Sequence, residues 1–369
     1  MIASLTPGMY DSAHGRWAGV GPYYAMFPVA FADATILRYS NSGDVVLDPF
    51  AGRGTAVFSA AIHKRMGIGI EINPVGWVYG KAKLHPAEQK SVENRIEEIA
   101  LLASQYVSQA RAMPEFFRVC FCSKVRAFLL SARDNLDWRR NAVDWTTMAF
   151  LLIYLHGKTS SALSNQMRQT KSMSPKYALK WWKARHSEPP KLDPVAFLTK
   201  RIQWRYAKGR PQSKGSQVYL GDCTNVLRQF RHDGIAFSKP RLLLTSPPYY
   251  GVTNYHYDQW LRLWLLGSSG IPYVSRGTHK GRFENRQEYR DLIHEAFSSS
   301  APLLSDDAVI YVRIDGRPFT CETTLAVLKE VFPNKTLVKK RQPFKRPTQT
   351  HLFANKTDSE GEVDLILTP

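Results

Sequence analysis

The chain has 369 residues, with 50 Lys and Arg residues against 31 Asp and Glu residues and a formal net charge of +19. A hydrophobic share of 44% and an aromatic share of 12% exclude a disordered chain, and the length suggests two domains or one domain with a large insertion. The positive charge predicts attraction to polyanions, of which nucleic acid is the commonest.

Cysteine usage and the apolar segments predict a cytoplasmic protein. Four cysteines are too few for a disulfide scaffold, and Cys120 and Cys122 are spaced C-x-C without the second pair that a zinc site needs. We interpret both as buried thiols and expect no bound metal. The N-terminal residues do not resemble a signal peptide, and the longest apolar stretch, residues 148–155, is shorter than the roughly 20 residues that span a bilayer.

Residues 44–84 have the pattern of a strand–helix–strand–helix unit. Residues 44–48 and 67–71 are short β-branched apolar runs, residues 55–64 are Ala-rich with helical spacing, and Pro74 opens a second helix at its first turn. This alternation predicts a parallel sheet with right-handed crossovers.

Residues 87–210 lose this rhythm and are predicted to be helical. Apolar spacing predicts helices over residues 92–113, 124–136 and 144–156. From residue 158 to residue 210 there are thirteen basic residues and two acidic ones, with aromatic residues interleaved. This composition favours contact with a phosphate backbone, although such a run is often only a solvated helix face.

The α/β pattern resumes at residue 217. The predicted strands are 217–222, 241–245, 308–314, 336–340, 351–354 and 363–367, and the predicted helices are 257–266, 286–304 and 323–331. Because the last strands follow one another closely, we expect an antiparallel hairpin to complete the sheet. The expected fold class is α/β, with a mostly parallel sheet and a helical insertion.

The first motif is Asp48-Pro49-Phe50-Ala51-Gly52-Arg53-Gly54-Thr55, where the first predicted strand gives way to a helix. Open α/β sheets bind ligands at the carboxyl ends of their strands, and a helix N-terminus offers backbone N–H groups there. Two glycines allow a ligand to approach the backbone closely. Glu71 ends the next predicted strand, where an acidic residue suits a ribose diol.

The second motif is Thr245-Ser246-Pro247-Pro248-Tyr249-Tyr250-Gly251, which follows a strand of apolar residues. The two prolines keep the segment extended, so that the Ser246 hydroxyl and the Pro247 carbonyl point to one place. Tyr249 offers a flat face beside them. This arrangement suits a planar base that carries an exocyclic amine.

The two motifs together resemble the amino-methyltransferases of DNA, which use S-adenosyl-L-methionine and have a Rossmann-like fold. Ser-Pro-Pro-Tyr is the variant typical of N(4)-cytosine enzymes, whereas adenine enzymes usually carry Asp or Asn before Pro-Pro-Tyr. The segment from Gly21 to Pro28 is similar to the N-terminal cofactor segment of the family, and Gly221-Asp222-Cys223 is similar to its third motif. The resemblance implies a cofactor site formed by Tyr23, Phe27, Asp48, Pro49, Phe50, Ala51, Gly52, Gly54, Thr55, Glu71, Ile72, Asp222, Cys223 and Ser246.

The resemblance also implies a reaction at an exocyclic amine, with Ser246, Pro247, Pro248 and Tyr249 as the catalytic residues. Two oxygen acceptors would hold the amine protons and direct its lone pair toward the methyl sulfonium. The base would be flipped out of the duplex, with Tyr249 as its stacking surface. A carbon-5 methyltransferase usually has its nucleophile in a Pro-Cys pair, and none of the four cysteines follows a proline.

The expected domains are residues 1–86 and 213–369, which form the catalytic domain, and residues 87–212, which form a basic insertion that recognises the target. The expected partner is double-stranded DNA in the nucleoid, and a cognate restriction endonuclease is an expectation drawn from the resemblance. The predicted DNA contacts are Arg168, Lys171, Lys176, Lys180, Lys183, Arg185, Arg201, Arg205, Lys345 and Arg346.

Three alternatives stay open at the level of sequence. An N(6)-adenine DNA methyltransferase would have the same fold and mechanism. An RNA enzyme of the tRNA guanine-amine type shares Pro-Pro-Tyr, but usually with Asp before it. A catalytically silent DNA-binding module would keep the fold, although the intact Ser246 and Tyr249 argue against it.

Overall fold

The structure is a computed structural model that describes residues 9–22, 28–234, 237–251, 255–269, 285–342 and 361–369. Its internal contacts divide the chain into two compact units. A helical unit comprises Met1–Tyr23, Lys81–Gln212 and Tyr255–Val274, and a sheet unit comprises Tyr24–Gly80, Ser213–Asn254 and Ser275–Pro369. The helical unit thus includes residues from both sides of the insertion that the sequence predicts.

The sheet unit contains a seven-stranded sheet with the order β3-β2-β1-β4-β5-β7-β6. Strands β1 to β5 pair in parallel, whereas β7 lies antiparallel between β5 and β6. The mostly parallel sheet and its antiparallel C-terminal strands confirm the predicted fold class, while the predicted strand at residues 351–354 lies outside the described residues. The strands are β1 Val45–Asp48, β2 Met66–Glu71, β3 Gln217–Leu220, β4 Leu242–Thr245, β5 Val309–Asp315, β6 Thr336–Gln342 and β7 Glu362–Thr368.

Helices cover both faces of this sheet, because successive apolar side chains of a strand point to opposite faces. In β4, Leu243 packs on one face, whereas Leu242 and Leu244 pack on the other. The first face is covered by α12, α15 and α16, and the second by α2 and α3. The helices of this unit are α2 Val29–Tyr39, α3 Thr55–Ile62, most of α4 Pro74–Leu84, α12 Cys223–Asp233, α15 Arg286–Ser300 and α16 Pro318–Val331.

Two predicted helices of this unit have different bounds in the structure, and a proline explains each difference. The helix predicted over residues 286–304 ends at Ser300 and continues as a 3₁₀ turn, Ala301–Leu303, which contains Pro302. Because proline has no N–H for an α-helical bond, the tighter turn follows. The helix predicted over 323–331 begins earlier, at Pro318, where a proline suits the first helical position.

A buried charged network joins β5 to β7. Arg313 is 6% exposed and donates to both carboxylate oxygens of Asp364, at 2.6 and 2.9 Å, while the Tyr311 hydroxyl donates to the same carboxylate at 2.8 Å. The guanidinium also lies 3.4 Å from the centre of the Phe31 ring. Since Asp364 is fully buried, removal of Arg313 would leave its carboxylate without a cation, whereas Arg313 also pairs with Glu362 at 3.4 Å.

In the helical unit, two helices that the sequence predicted as continuous are each divided into two shorter ones. The predicted helix 92–113 is divided by a 3₁₀ turn, Ala103–Tyr106, and the predicted helix 257–266 is divided at Gln259. The Ser131 hydroxyl donates to the Ile99 carbonyl at 2.8 Å, which supports the helix end before the first break. The helices are α1 Ala13–Ala18, α5 Gln89–Leu102, α6 Val107–Ala112, α7 Glu115–Cys120, α8 Ser123–Asn135, α9 Ala142–Tyr154, α10 Pro175–Lys183, α11 Pro194–Tyr206, α13 Tyr255–Asp258 and α14 Trp260–Leu265.

The core of the helical unit combines apolar helix faces with aromatic contacts. Trp17 of α1 is 1% exposed, and its ring meets Tyr206 of α11 edge-on at 5.0 Å. Arg95 of α5 pairs with Asp144 of α9 at 2.8 Å. Cys120 is buried, as predicted, whereas Cys122 is partly exposed. Among the described helices, none has both the length and the apolar character to cross a membrane.

The close approach of α3 to β2 depends on Gly67, and we expect Gly67→Ala to be strongly destabilising. A Cβ there would lie 2.4 Å from the Val57 carbonyl oxygen and 2.8 Å from its Cα, so the backbone of α3 must move. The free energy of unfolding in urea should fall by about 3 kcal/mol or more.

The matched control is Gly19→Ala, because Gly19 has an ordinary φ of −74° and its added Cβ would meet nothing closer than 3.5 Å. Equal unfolding midpoints for the two variants would contradict this account of the helix–strand contact.

Candidate cofactor and substrate site

The two sequence motifs meet at the carboxyl ends of two adjacent parallel strands. Asp48 ends β1 and Thr245 ends β4, and the Thr245 hydroxyl donates to Asp48 Oδ1 at 2.7 Å. The strand order changes direction between these two strands, and such a switch point opens a crevice for ligands. The hydrogen bond therefore joins the glycine motif directly to the Pro-Pro-Tyr motif.

The Asp48 carboxyl is 1% exposed, and its burial raises its pKa to about 7. Two hydrogen bonds act in the opposite direction and lower it, one from the Thr245 hydroxyl and one from the Phe50 N–H at 3.2 Å. Desolvation outweighs both bonds because a carboxylate in an apolar environment loses its hydration. The carboxyl is thus poised near neutral pH to respond to a cation beside it.

The turn after β1 depends on positive φ angles. Gly52 and Gly54 have φ angles of +55° and +72°, and Gly54 precedes α3 without offering a side chain as a cap. The Ala51 N–H donates to the Ile70 carbonyl at 2.9 Å, which ties the turn to β2. A Cβ at Gly76 would lie 2.6 Å from the Gly52 carbonyl oxygen, so α4 also packs closely against this turn.

Acidic residues at the ends of β2 and β3 lie on the same edge of the sheet. Glu71 is 7% exposed and accepts the Asn73 N–H at 2.8 Å, and its own carbonyl accepts the Gly221 N–H. Asp222 Oδ1 accepts the N–H and the hydroxyl of Thr224 and so caps α12. This capping role was not predicted from the sequence.

The second motif extends from the end of β4. Ser246 is half-buried, Pro247 and Pro248 are buried, and the Ser246 hydroxyl lies 3.5 Å from the Tyr249 hydroxyl. The Tyr249 side chain is only 5% exposed. The stacking role that the resemblance implies for Tyr249 therefore requires its ring to be uncovered first.

Two residues that the sequence analysis missed hold the end of this motif. Arg317 donates to the Tyr250 carbonyl at 2.5 Å, and its guanidinium also donates to Asp315 at 2.6 Å. Asp315 ends β5, next to β4 in the sheet, and the Tyr250 ring meets the Phe319 ring edge-on at 4.7 Å. An acidic residue at the carboxyl end of a parallel strand was the available signal.

The remaining predicted cofactor residues have varied positions. Pro49, Ala51, Thr55 and Cys223 are buried near the strand ends, Phe50 is half-buried, and Ile72 is 39% exposed. Tyr23 and Phe27, and the predicted DNA contacts Lys345 and Arg346, lie outside the described residues. No cluster of metal-binding residue types occurs in the part of the chain that the structure describes.

The basic residues predicted to contact DNA fall into exposed and internally paired groups. Arg168, Lys176, Lys180 and Arg185 are exposed, and Arg185 stacks 4.3 Å from the centre of the Trp181 ring. Other members already have internal contacts: Lys171 pairs with Asp258, Lys183 pairs with Glu115, and Arg201 donates to the Phe197 carbonyl.

Arg205 corrects one prediction of a DNA contact. It is 4% exposed and donates to the Arg16 carbonyl, so its guanidinium is not at the surface where a phosphate would bind. The reason is its place on α11. Its neighbour Tyr206 is also buried there, so this face of the helix forms part of the core. The Arg205 guanidinium therefore binds a backbone carbonyl inside the protein.

Comparisons with known proteins find a family model and curated relatives that are similar to parts of this chain. A family model described as DNA methylase matches residues 5–75. The chain is 49% identical over 49 residues to the orphan methyltransferase M.BamHII of Bacillus amyloliquefaciens, and 48% identical over 52 residues to the type II methyltransferase M.HpaI of Haemophilus parainfluenzae. The comparisons confirm the resemblance to the DNA amino-methyltransferases.

The similarity to these two methyltransferases is local. The two matched segments cover 13% and 14% of this chain and 18% and 17% of the relatives, so the chain spans less than a fifth of the length of each curated relative. Among solved structures, the rRNA methyltransferase aviRa from Streptomyces viridochromogenes aligns over 99% of this chain and 93% of its own length. Its identity is 14% and its TM-score is 0.36.

The raised pKa of Asp48 predicts a pH dependence of stability in the ligand-free protein. Between pH 3.8 and about 7 the folded carboxyl keeps a proton that the unfolded chain has lost. The free energy of unfolding therefore falls as pH rises through this window, by roughly 4 kcal/mol for a shift of this size.

Asp48→Asn keeps an acceptor for Thr245 and Phe50 but cannot ionise. Its free energy of unfolding, measured in urea from pH 4 to pH 8, should rise relative to the wild type across that window. Parallel pH curves for the two proteins would show that Asp48 does not titrate in this way.

Proposed function

We propose that this protein is a DNA methyltransferase that moves the methyl group of S-adenosyl-L-methionine to the exocyclic N(4) amine of cytosine in duplex DNA. The observation that carries the proposal is the Thr245–Asp48 hydrogen bond of 2.7 Å, because it joins a cofactor motif and an amine-binding motif at one switch point. The DNA methylase match over residues 5–75 supports the same reaction class.

The residues at this edge fit the proposed cofactor. The Asp48 carboxyl suits the α-ammonium group of the methionine moiety, since a cation there would offset its desolvation. Glu71, oriented by the Asn73 N–H, suits the ribose hydroxyls. The buried Asn73 Nδ2 has no hydrogen-bond partner among the described residues, so a donor remains beside Glu71.

The Ser246 hydroxyl is the group that we assign to the target amine. When bound, the cofactor supplies a methyl group on a positively charged sulfur. The exocyclic amine of cytosine is a weak nucleophile because its lone pair is delocalised into the ring. An acceptor at Ser246 Oγ, with the Pro247 carbonyl as a second one, would hold the amine protons and localise that lone pair for in-line transfer. The new nitrogen–carbon bond would form as the carbon–sulfur bond of the cofactor breaks, the neutral thioether would leave, and the surplus amine proton would pass to water.

Arg317 and Asp315 serve this chemistry as positioning residues. Their contacts fix the Tyr250 carbonyl and so hold the segment that carries Ser246. Because a base inside a duplex cannot reach such a crevice, the proposal includes extrusion of the target base.

Cytosine is favoured over adenine by Ser246, since the adenine enzymes of the family usually carry Asp or Asn at the corresponding position. Asp and Asn side chains reach further from the backbone than Ser. Adenine remains the second target, and RNA the second substrate class.

The exposed lysines of α10 support duplex DNA as the partner. Lys176 and Lys180 lie one helical turn apart and are both exposed, and Tyr177 between them is 58% exposed. A helix face with this composition suits a phosphate backbone. A cognate restriction endonuclease is proposed on the family resemblance alone.

Ser246→Ala tests the proposed reaction. Mass spectrometry of nucleosides from plasmid DNA should find N(4)-methylcytosine in cells that express the wild type. The purified variant should transfer labelled methyl groups about 100-fold more slowly, because one preorganised contact to the amine is lost. Ser305→Ala is the matched control. The Ser305 hydroxyl donates to the Pro240 carbonyl at the amino ends of β4 and β5, away from the proposed site.

The other outcomes of this experiment are distinct. N(6)-methyladenine would retain the mechanism and refute the choice of cytosine. An unmodified plasmid together with modified RNA would refute DNA as the substrate, and the absence of cofactor binding would favour a silent module.

DNA affinity should depend on the α10 lysines. In the variant with both Lys176→Ala and Lys180→Ala, the negative slope of log affinity against log salt should become shallower by about 2, as expected for two lost phosphate contacts. The measurement is fluorescence anisotropy with a labelled random-sequence duplex at 50 to 200 mM salt. Lys90→Ala, which removes an exposed lysine of α5, should leave the slope unchanged; an equal effect of both variants would indicate net charge alone.

A further inference from the structure

An irregular segment of the helical unit, residues 155–174, is held in place by buried side chains. It joins α9 to α10 and contains neither a helix nor a strand. Irregular segments longer than about 12–15 residues are uncommon in compact domains and are usually functional or disordered. Disorder does not describe this one, because Asn165 Nδ2 donates to the Val119 and Ser187 carbonyls and Trp182 Nε1 donates to the Gln166 carbonyl.

The second half of this segment, which we call the 168–173 loop, has its carbonyls turned inward. Four of its six carbonyl oxygens accept hydrogen bonds from four side chains that are at most 3% exposed. The bonds are His156 Nδ1 to Arg168 at 2.7 Å, Arg262 to Gln169 at 2.6 Å, Gln259 Nε2 to Thr170 at 3.1 Å and Trp260 Nε1 to Met173 at 3.0 Å.

His156 makes two hydrogen bonds to the loop, and these bonds require one tautomer of its ring. A carbonyl only accepts, so Nδ1 carries the proton and Nε2 accepts the Ser172 hydroxyl at 3.1 Å. Burial, together with the charge of Arg262, lowers the pKa of His156 well below its usual value, so the ring stays neutral and keeps this tautomer. The imidazole therefore binds the loop at two points with fixed polarity.

Arg262 is the most costly part of the arrangement. Its side chain is fully buried, and its guanidinium donates to the Leu152 carbonyl, the Gln259 amide oxygen and the Gln169 carbonyl. Removing a guanidinium from water is unfavourable, and these bonds must offset that desolvation. A connection that only had to link α9 to α10 would not require a buried charge.

The exposed side chains of the loop have the chemistry of base recognition. Arg168 and Gln169 are exposed while their carbonyls are fixed inside. A guanidinium pairs with guanine O6 and N7 through two bonds, and a glutamine amide pairs with adenine N6 and N7 in the same manner. The loop ends three residues before Lys176, the first of the exposed lysines of α10.

We propose that the 168–173 loop reads base edges in the major groove through Arg168 and Gln169, while α10 binds the phosphates and the buried donors fix the loop. The proposal rests on the proposed function. His156, Gln259, Trp260 and Arg262 are then positioning residues for sequence recognition.

The test is the sequence preference of methylation on a random-sequence duplex library, with modified sites read by single-molecule sequencing. Arg168→Ala and Gln169→Ala should each relax one or two positions of the wild-type motif. Discrimination there should fall about 5- to 150-fold, as expected for the loss of one bidentate base contact. The double lysine variant of α10 should lower the rate at all sites and leave the motif unchanged.

An unchanged motif in both loop variants, with methylation retained, would overturn the proposal and leave the proposed function intact. A wild-type protein that methylates nothing in the library would instead refute the proposed function. The two failures are therefore distinguishable.

Trp260→Phe tests the positioning role, because it removes one donor to the Met173 carbonyl and keeps an aromatic ring beside Phe116 and Phe117. The expected result is weaker discrimination at the positions that the loop variants relax, measured at a temperature where the variant is folded. A purely structural role would lower the overall rate and leave discrimination at its wild-type value.

Discussion

The candidate site depends on one hydrogen bond, the 2.7 Å contact from Thr245 to Asp48. Each residue ends a parallel strand, and the two strands are neighbours because the strand order reverses between them. Because the two strands pair in parallel, their carboxyl ends lie at the same edge of the sheet. The buried Asp48 carboxyl then receives one of its hydrogen bonds from the Thr245 hydroxyl. The chemistry at this edge is thus a consequence of topology, since the two residues are 197 positions apart in the chain.

The sequence predicted the parts of the sheet unit whose patterns are local. Short apolar runs identified β1, β2 and β4, and the two motifs identified the residues at their ends. It did not predict that Thr245 binds Asp48 or that Arg317 supports Tyr250. These contacts depend on strand order and on side-chain directions across the sheet, which no local pattern contains.

The helical unit was less predictable because some of its charged residues are buried and bind the backbone. The composition of residues 158–210 indicated a basic surface, yet the same residue type has opposite environments there. Arg168 is exposed, whereas Arg205 is buried against a backbone carbonyl. Helical spacing distinguishes core from surface only for apolar residues, so a buried arginine cannot be recognised before its neighbours in space are known.

The insertion of β7 between β5 and β6 has a consequence for the order in which the sheet can form. β6 is made before β7, but it has no neighbouring strand until β7 arrives. Until residues 362–368 pair, the sheet has an open edge at β5 and β6 has no partner strand. Unpaired strand edges can pair with another chain, so the unfinished sheet is exposed to wrong strand pairing until β7 is in place.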